Sequence, residues 1–112
     1  MLKQLNNETD WSNALNESDR FFLLKNSTTC PVSHEGYRQF EKFAAQHPEE
    51  TFYYLNVQDA RALSNKIAED TGIKHESPQV FLFNGGSPVW NASHWSITVK
   101  KMEEVLTEGA KA

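Results

Sequence analysis

Phe21-Phe22-Leu23-Leu24-Lys25-Asn26-Ser27-Thr28-Thr29-Cys30-Pro31-Val32-Ser33 is the stretch on which the reading of this chain turns. Its four leading apolar residues are short enough for a strand buried on both faces. The polar Asn26-Ser27-Thr28-Thr29 then hands over to Cys30-Pro31, with proline where it best tolerates a helix start. From there Tyr37, Phe40, Phe43 and Ala44 follow helical spacing, while Glu35, Arg38, Lys42 and Gln46 fall on the other face. That pattern predicts an amphipathic helix stopped by Pro48. Gly36 weakens it by roughly 1 kcal/mol relative to alanine. A strand therefore feeds a helix, and the cysteine stands at the joint.

Working outward, Thr9 or Asp10 is placed to cap a short helix carrying Trp11 and Leu15. Thr51 to Val57 is rich in β-branched and aromatic residues and reads as a second strand. Asp59 is expected to cap a helix bearing Ala60, Leu63, Ser64 and Ile67, ended by Gly72. Gln79 to Phe83 is a third strand, Asn84-Gly85-Gly86 a tight hairpin, and Pro88 to Ala92 a returning edge strand. A last helix runs from about Thr98 to Thr107, with Val99, Met102 and Leu106 on one stripe. The order is α-β-α-β-α-β-β-α: an α/β chain with a right-handed βαβ crossover, then a ββ hairpin and a covering helix. The simplest closure is a four-stranded mixed sheet with helices on both sides. This is the order of a thioredoxin-like fold, whose active site lies where the first strand feeds the second helix.

Composition bounds the rest. The 112 residues suit one domain over 1–112, and 38% hydrophobic content is enough for a core rather than a disordered chain. Fifteen acids against eleven bases give a net charge of -4, which argues against nucleic acid or a polybasic membrane partner. No stretch approaches the roughly 18 apolar residues that span a bilayer. Met1-Leu2-Lys3-Gln4-Leu5-Asn6-Asn7 lacks the apolar core of a signal peptide. The expectation is a soluble, cytoplasmic monomer. With one cysteine, neither an intrachain disulfide nor a cysteine zinc cage can form.

That solitary thiol admits two readings. Free cysteine is commonly a small buried hydrophobe. Here, though, Ser27, Thr28 and Thr29 form a polar approach expected at the surface, and Cys30 sits at a helix N-cap. The unpaired N–H groups of Val32 and Ser33 would face its sulfur, and the helix dipole favours the thiolate. Thiols so placed titrate at about 3.5 to 7.5, so a depressed pKa is expected. Ser33 stands where a dithiol enzyme carries its resolving cysteine. Its hydroxyl is either a donor to the Cys30 thiolate or a solvated residue of the first turn. In both cases a mixed disulfide on Cys30 must wait for an external thiol.

Ser77-Pro78 directly precedes the third strand. In a thioredoxin-like sheet a proline there is cis, lies beside the nucleophile, and leaves the backbone of Ser77 to pair with a substrate chain. His34 opens the nucleophile helix, His47 ends it, and His75 and His94 lie in loops. With no histidine pair at helical spacing, a metal site is not expected. Trp11 and Trp90 read as packing residues, and Trp95 is left open.

Thr29-Cys30-Pro31-Val32-Ser33, the run Lys74-His75-Glu76-Ser77-Pro78-Gln79, and Ala92-Ser93-His94-Trp95 together resemble the monothiol bacilliredoxins of the YtxJ type. The resemblance runs from the Trp11 helix to the last one. Val32 stands where the family motif has isoleucine, and Gly36 where a better helix former is usual. The resemblance implies removal of bacillithiol from S-bacillithiolated client proteins. Cys30 would take the bacillithiol, and a second bacillithiol or another redoxin would release it. Around the catalytic Cys30, Pro31 and Ser33, the substrate site is expected to use Thr29, Val32, Ser77, Pro78, Ser93 and His94. The malate of bacillithiol would dock on Lys74 and His75, or on Ser93-His94 entering the last helix. Two alternatives belong to other classes. One is a bacillithiol-dependent iron–sulfur carrier, disfavoured because Pro31 stiffens a turn that monothiol glutaredoxins leave to glycine. The other is a redox-inert binding module on the same scaffold.

Overall fold

The computed structural model describes residues 2–109; the ends of the expected domain, residue 1 and residues 110–112, lie outside it. The element order is β1 (Leu2–Gln4), α1 (Glu8–Glu17), β2 (Arg20–Asn26), α2 (Pro31–Gln46), β3 (Phe52–Asn56), α3 (Arg61–Thr71), β4 (Gln79–Asn84), β5 (Ser87–Ser93), a 3₁₀ turn over His94–Ser96 and α4 (Val99–Gly109). The sheet has five strands in the order β1-β3-β2-β4-β5. The expected four-stranded sheet is thus corrected by one edge strand: Leu2, Lys3 and Gln4 pair in parallel with Phe52, Tyr53 and Tyr54. Three residues show no periodicity, so nothing local distinguished them from a polar tail.

Strand β2 is central, parallel to β3 and antiparallel to β4. Its residues are buried on both faces, as a strand between two helical layers must be. Phe21 and Leu23 point into one core with Trp11, Leu63, Ile67, Phe81 and Phe83. Phe22 and Leu24 point into the other with Phe40, Phe43, Phe52, Val80 and Met102. Layers α1/α3 and α2/α4 thus each cover one face. Aromatic stacking fixes the first core, with Phe21 and Phe83 stacked at 5.1 Å and Trp11 edge-on to both.

Two caps differ from expectation. Helix α1 begins at Asn7, whose side chain accepts from the Asp10 amide at 2.9 Å, rather than at Thr9 or Asp10. Helix α3 has Ala60 at its N-cap and no side-chain cap bond; the Asp59 and Ala60 amides instead donate to Asn56 O in the preceding turn. Gly85 and Gly86 both take positive φ in the β4–β5 hairpin, the conformation such a turn requires. As expected, β5 is an edge strand, with Trp90 and Ala92 packed inward and Val89 outward.

Candidate active site

Cys30 is the N-cap of α2, in extended backbone, with Pro31 at the first helical position. The residue is half-buried. Its pKa is lowered first by the Ser33 amide, then by the Val32 amide, and lastly by the Ser33 hydroxyl, against an opposing effect of burial. These are the orphan N–H groups that every helix start carries, turned here onto a thiolate.

Ser33 is fully buried, which removes the reading of a solvated first-turn residue. Its Oγ accepts from the Ser27 amide at 3.2 Å, tying the approach loop to the helix beneath the sulfur. Ser27 is buried too, contrary to the expected surface loop; only Thr28 and Thr29 are exposed. One residue unseen in the sequence reading pins this loop. The Gln58 carboxamide accepts from the Thr28 amide (3.1 Å) and donates to Ser27 Oγ (2.8 Å) and Thr29 Oγ1 (3.2 Å). No local signal marks Gln58, because its partners lie about thirty residues away.

The Ser77-Pro78 bond is cis. Pro78 is buried against α2, where a Cβ built on Gly36 would stand 3.4 Å from Pro78 Cβ and Cγ. The proline loop thus lies against the second turn of the nucleophile helix, with room at 36 for a methyl group at van der Waals contact and for nothing much larger. Pro78 O accepts from the His94 amide at 3.0 Å, and Gln79 is in register with Ser93. Ser77, Pro78, Ser93 and His94 are therefore one surface beside α2. Ser77 Oγ is buried and without a partner among the described residues.

His94 takes φ +54° and pairs through Nδ1 with the Glu76 carboxylate at 3.2 Å. Among the described residues it is the one non-glycine with positive φ, a conformation that costs energy and clusters at functional sites. Two amides at the start of α4 are already engaged, Val99 by Gln39 Oε1 and Lys101 by Thr98 Oγ1. Trp95 next to it is 68% exposed.

His75 turns inward instead of toward solvent. Its Nδ1 stands 3.3 Å from Lys25 Nζ and 3.2 Å from Ser64 Oγ. Burial first, then the charges of Lys25 and Arg61, push its pKa down, so it offers no cation for a carboxylate. Lys25 itself is fully buried, donates to Ser64 O at 3.0 Å, and has its pKa lowered to about 8 by burial. Lying at the end of an apolar run, it was legible only as a strand boundary.

Residues 3–102 match the model of the monothiol bacilliredoxin BrxC family. The chain belongs to the monothiol bacilliredoxin family. A solved structure described as having a thioredoxin fold is 40% identical to this bacilliredoxin, covering 92% of this chain and 91% of that one with a TM-score of 0.87. The thioredoxin of Fasciola hepatica (18% identity, 95% and 97% covered, TM-score 0.79) and a cysteine-to-serine mutant of an Entamoeba histolytica thioredoxin (16%, 96% and 99%, TM-score 0.75) share the fold alone. In this bacilliredoxin the family's single cysteine is Cys30.

Proposed function

We propose that the protein removes bacillithiol from S-bacillithiolated proteins by thiol–disulfide exchange at Cys30. The observation that carries this reading is a half-buried cysteine at the start of α2, with the Ser33 and Val32 amides lowering its pKa. The Cys30 thiolate attacks the bacillithiol sulfur of the mixed disulfide. A new S–S bond joins Cys30 to bacillithiol, the old one breaks, and the client sulfur leaves as a thiolate that takes a proton from water. Two electrons have passed from Cys30 to the client.

Pro31 fixes the helix start, and Ser33 holds the loop in place without offering a second thiol. A free bacillithiol thiolate, or another redoxin, then attacks the bacillithiol sulfur on Cys30 and returns the enzyme's thiolate. Ser77 lies just beyond the ladder pair Lys25–Gln79, where an extended client segment can add its backbone bonds. We assign Thr29, Val32, Ser93 and His94 to the same substrate site. On this reading the clients are proteins of the cytoplasm.

The test is transfer from a bacillithiolated client, followed by intact mass. The wild type should gain one bacillithiol as the client loses it, and Cys30→Ala should gain none and leave the client modified. De-thiolation by Cys30→Ala at the wild-type rate would overturn the proposal.

A further inference from the structure

A cavity of about 420 Å³ opens on the side of α2 away from Pro78, within the size range of small-molecule sites, roughly 300–1,000 Å³. Asn26, Thr28, His34, Tyr37, Tyr54 and Asn56 line it. The sheet order β3-β2-β4 separates it from the proline loop: Asn26 and Asn56 are paired at the ends of β2 and β3, whereas Pro78 leads into β4. The cavity is nonetheless close to the sulfur. Thr28 precedes Cys30 by two residues, a reach of at most about 7 Å, and the His34 amide donates to Cys30 O at 3.1 Å.

Its lining is chemically selective. Among the described residues it holds two carboxamides, one hydroxyl, two phenols and an imidazole, but no carboxylate, lysine or arginine. Asn26 is only 9% exposed. Its Nδ2 donates to Asn56 Oδ1 at 2.9 Å, while its Oδ1 has no partner among the described residues. Tyr37 and Tyr54 meet edge to face at 5.6 Å, and Tyr54 OH donates to Gln4 Oε1, which fixes that wall. Carboxamide and hydroxyl groups beside aromatic surface suit a hydroxyl-rich ring better than a hydrocarbon.

We propose that this cavity receives the sugar ring that joins cysteine to malate in bacillithiol, while that thiol is bound to Cys30. The inference rests on the exchange reading above and adds where the transferred molecule lies. In such an exchange the attacking, central and leaving sulfurs are nearly collinear, so whatever the central sulfur carries must leave sideways. With the client strand against Ser77 and Pro78, the cavity on the β3 side of α2 is the free direction. Client and small thiol then occupy opposite flanks of one helix start, which moves the malate away from Lys74, His75, Ser93 and His94, where the resemblance put it.

The experiment compares two covalent adducts of the full chain by amide and side-chain NMR. One is made with bacillithiol disulfide and the other with cystine, which leaves the same disulfide on Cys30 but neither the sugar nor its malate. Signals that differ between the adducts should be those of Asn26, Thr28, Tyr37, Tyr54 and Asn56. Differences confined to Ser77, Ser93 and His94, or no differences, would overturn the assignment while leaving the exchange reading intact. Failure of Cys30 to form either adduct would instead overturn the exchange reading. A second readout is the preference for bacillithiol over cysteine as resolving thiol. Asn56→Ala should lower that ratio about fivefold, and an unchanged ratio would count against the cavity.

Discussion

Lys25→Met should make the protein more stable near neutral pH, and the gain should disappear in alkali. The ammonium is fully buried, and among the described residues no carboxylate stands within ion-pair distance. Its contacts are Ser64 O at 3.0 Å, His75 Nδ1 at 3.3 Å and the Phe81 ring at 5.8 Å. A fall from 10.5 to about 8 amounts to roughly 3 kcal/mol at 1.36 kcal/mol per decade; allowing for water and relaxation, about 1–3 kcal/mol is expected. Methionine fills similar space without a charge, and His75 keeps Ser64 Oγ as a partner.

The sign follows from proton counting. Between about pH 8 and 10.5 the unfolded chain holds a proton at Lys25 that the folded chain has released, so wild-type stability rises through that window relative to the variant. Urea unfolding of both proteins from about pH 7 to about pH 10 reads the difference directly, since other groups cancel. A difference independent of pH would refute the reasoning. So would a variant less stable by about 3–5 kcal/mol at neutral pH, the signature of breaking a compensated pair.

His47, at the end of α2, pairs with Glu103 of α4 and with Glu49, and these raise its pKa. The pairing contributes fully below about pH 6.5 and is lost as pH rises through the raised value, so Glu103→Gln should cost about 0.2–1 kcal/mol in acid and less in alkali; a cost that grew with pH in urea titrations would contradict this. At Gly36, alanine meets Pro78 only at contact distance and should gain up to about 1 kcal/mol of helix propensity, whereas Gly36→Leu should lose about 1–3 kcal/mol by overpacking. Equal losses from both in denaturant titrations would contradict that packing. Ser33→Ala orphans the buried Ser27 amide and should cost about 1–3 kcal/mol. Ser33→Cys should let the chain expel bacillithiol from Cys30 without added thiol, as mass spectrometry of the isolated adduct would show.

Features set by neighbours in sequence were legible, and features set by distant contacts were not. The Cys30 cap needed only Pro31 and the amides of its own first turn, and the alternating helices and strands followed from local periodicity. The α1 cap was expected at Thr9 or Asp10, but burial of Trp11 and Ala14 sets the phase that puts it at Asn7. Strand β1 exists only because β3 offers it a free edge. Gly36 reads as a weakness in the helix from its own propensity, and only the contact with Pro78 shows that a side chain larger than alanine has no room there. Lys25 broke the rule that a charge ends a buried run, and its partners Ser64 and His75 lie 39 and 50 residues away. The burial of Ser33 likewise depends on the loop that folds back over it.

Ionisation of Cys30 at neutral pH is the property on which the chemistry depends. The rate of its alkylation by iodoacetamide, followed against pH on the native protein, measures it directly. The midpoint should fall clearly below the ordinary thiol value of about 8.5, and unfolding in urea should return it there. A native midpoint at or above that value would show that the amides of Val32 and Ser33 do not hold the thiolate.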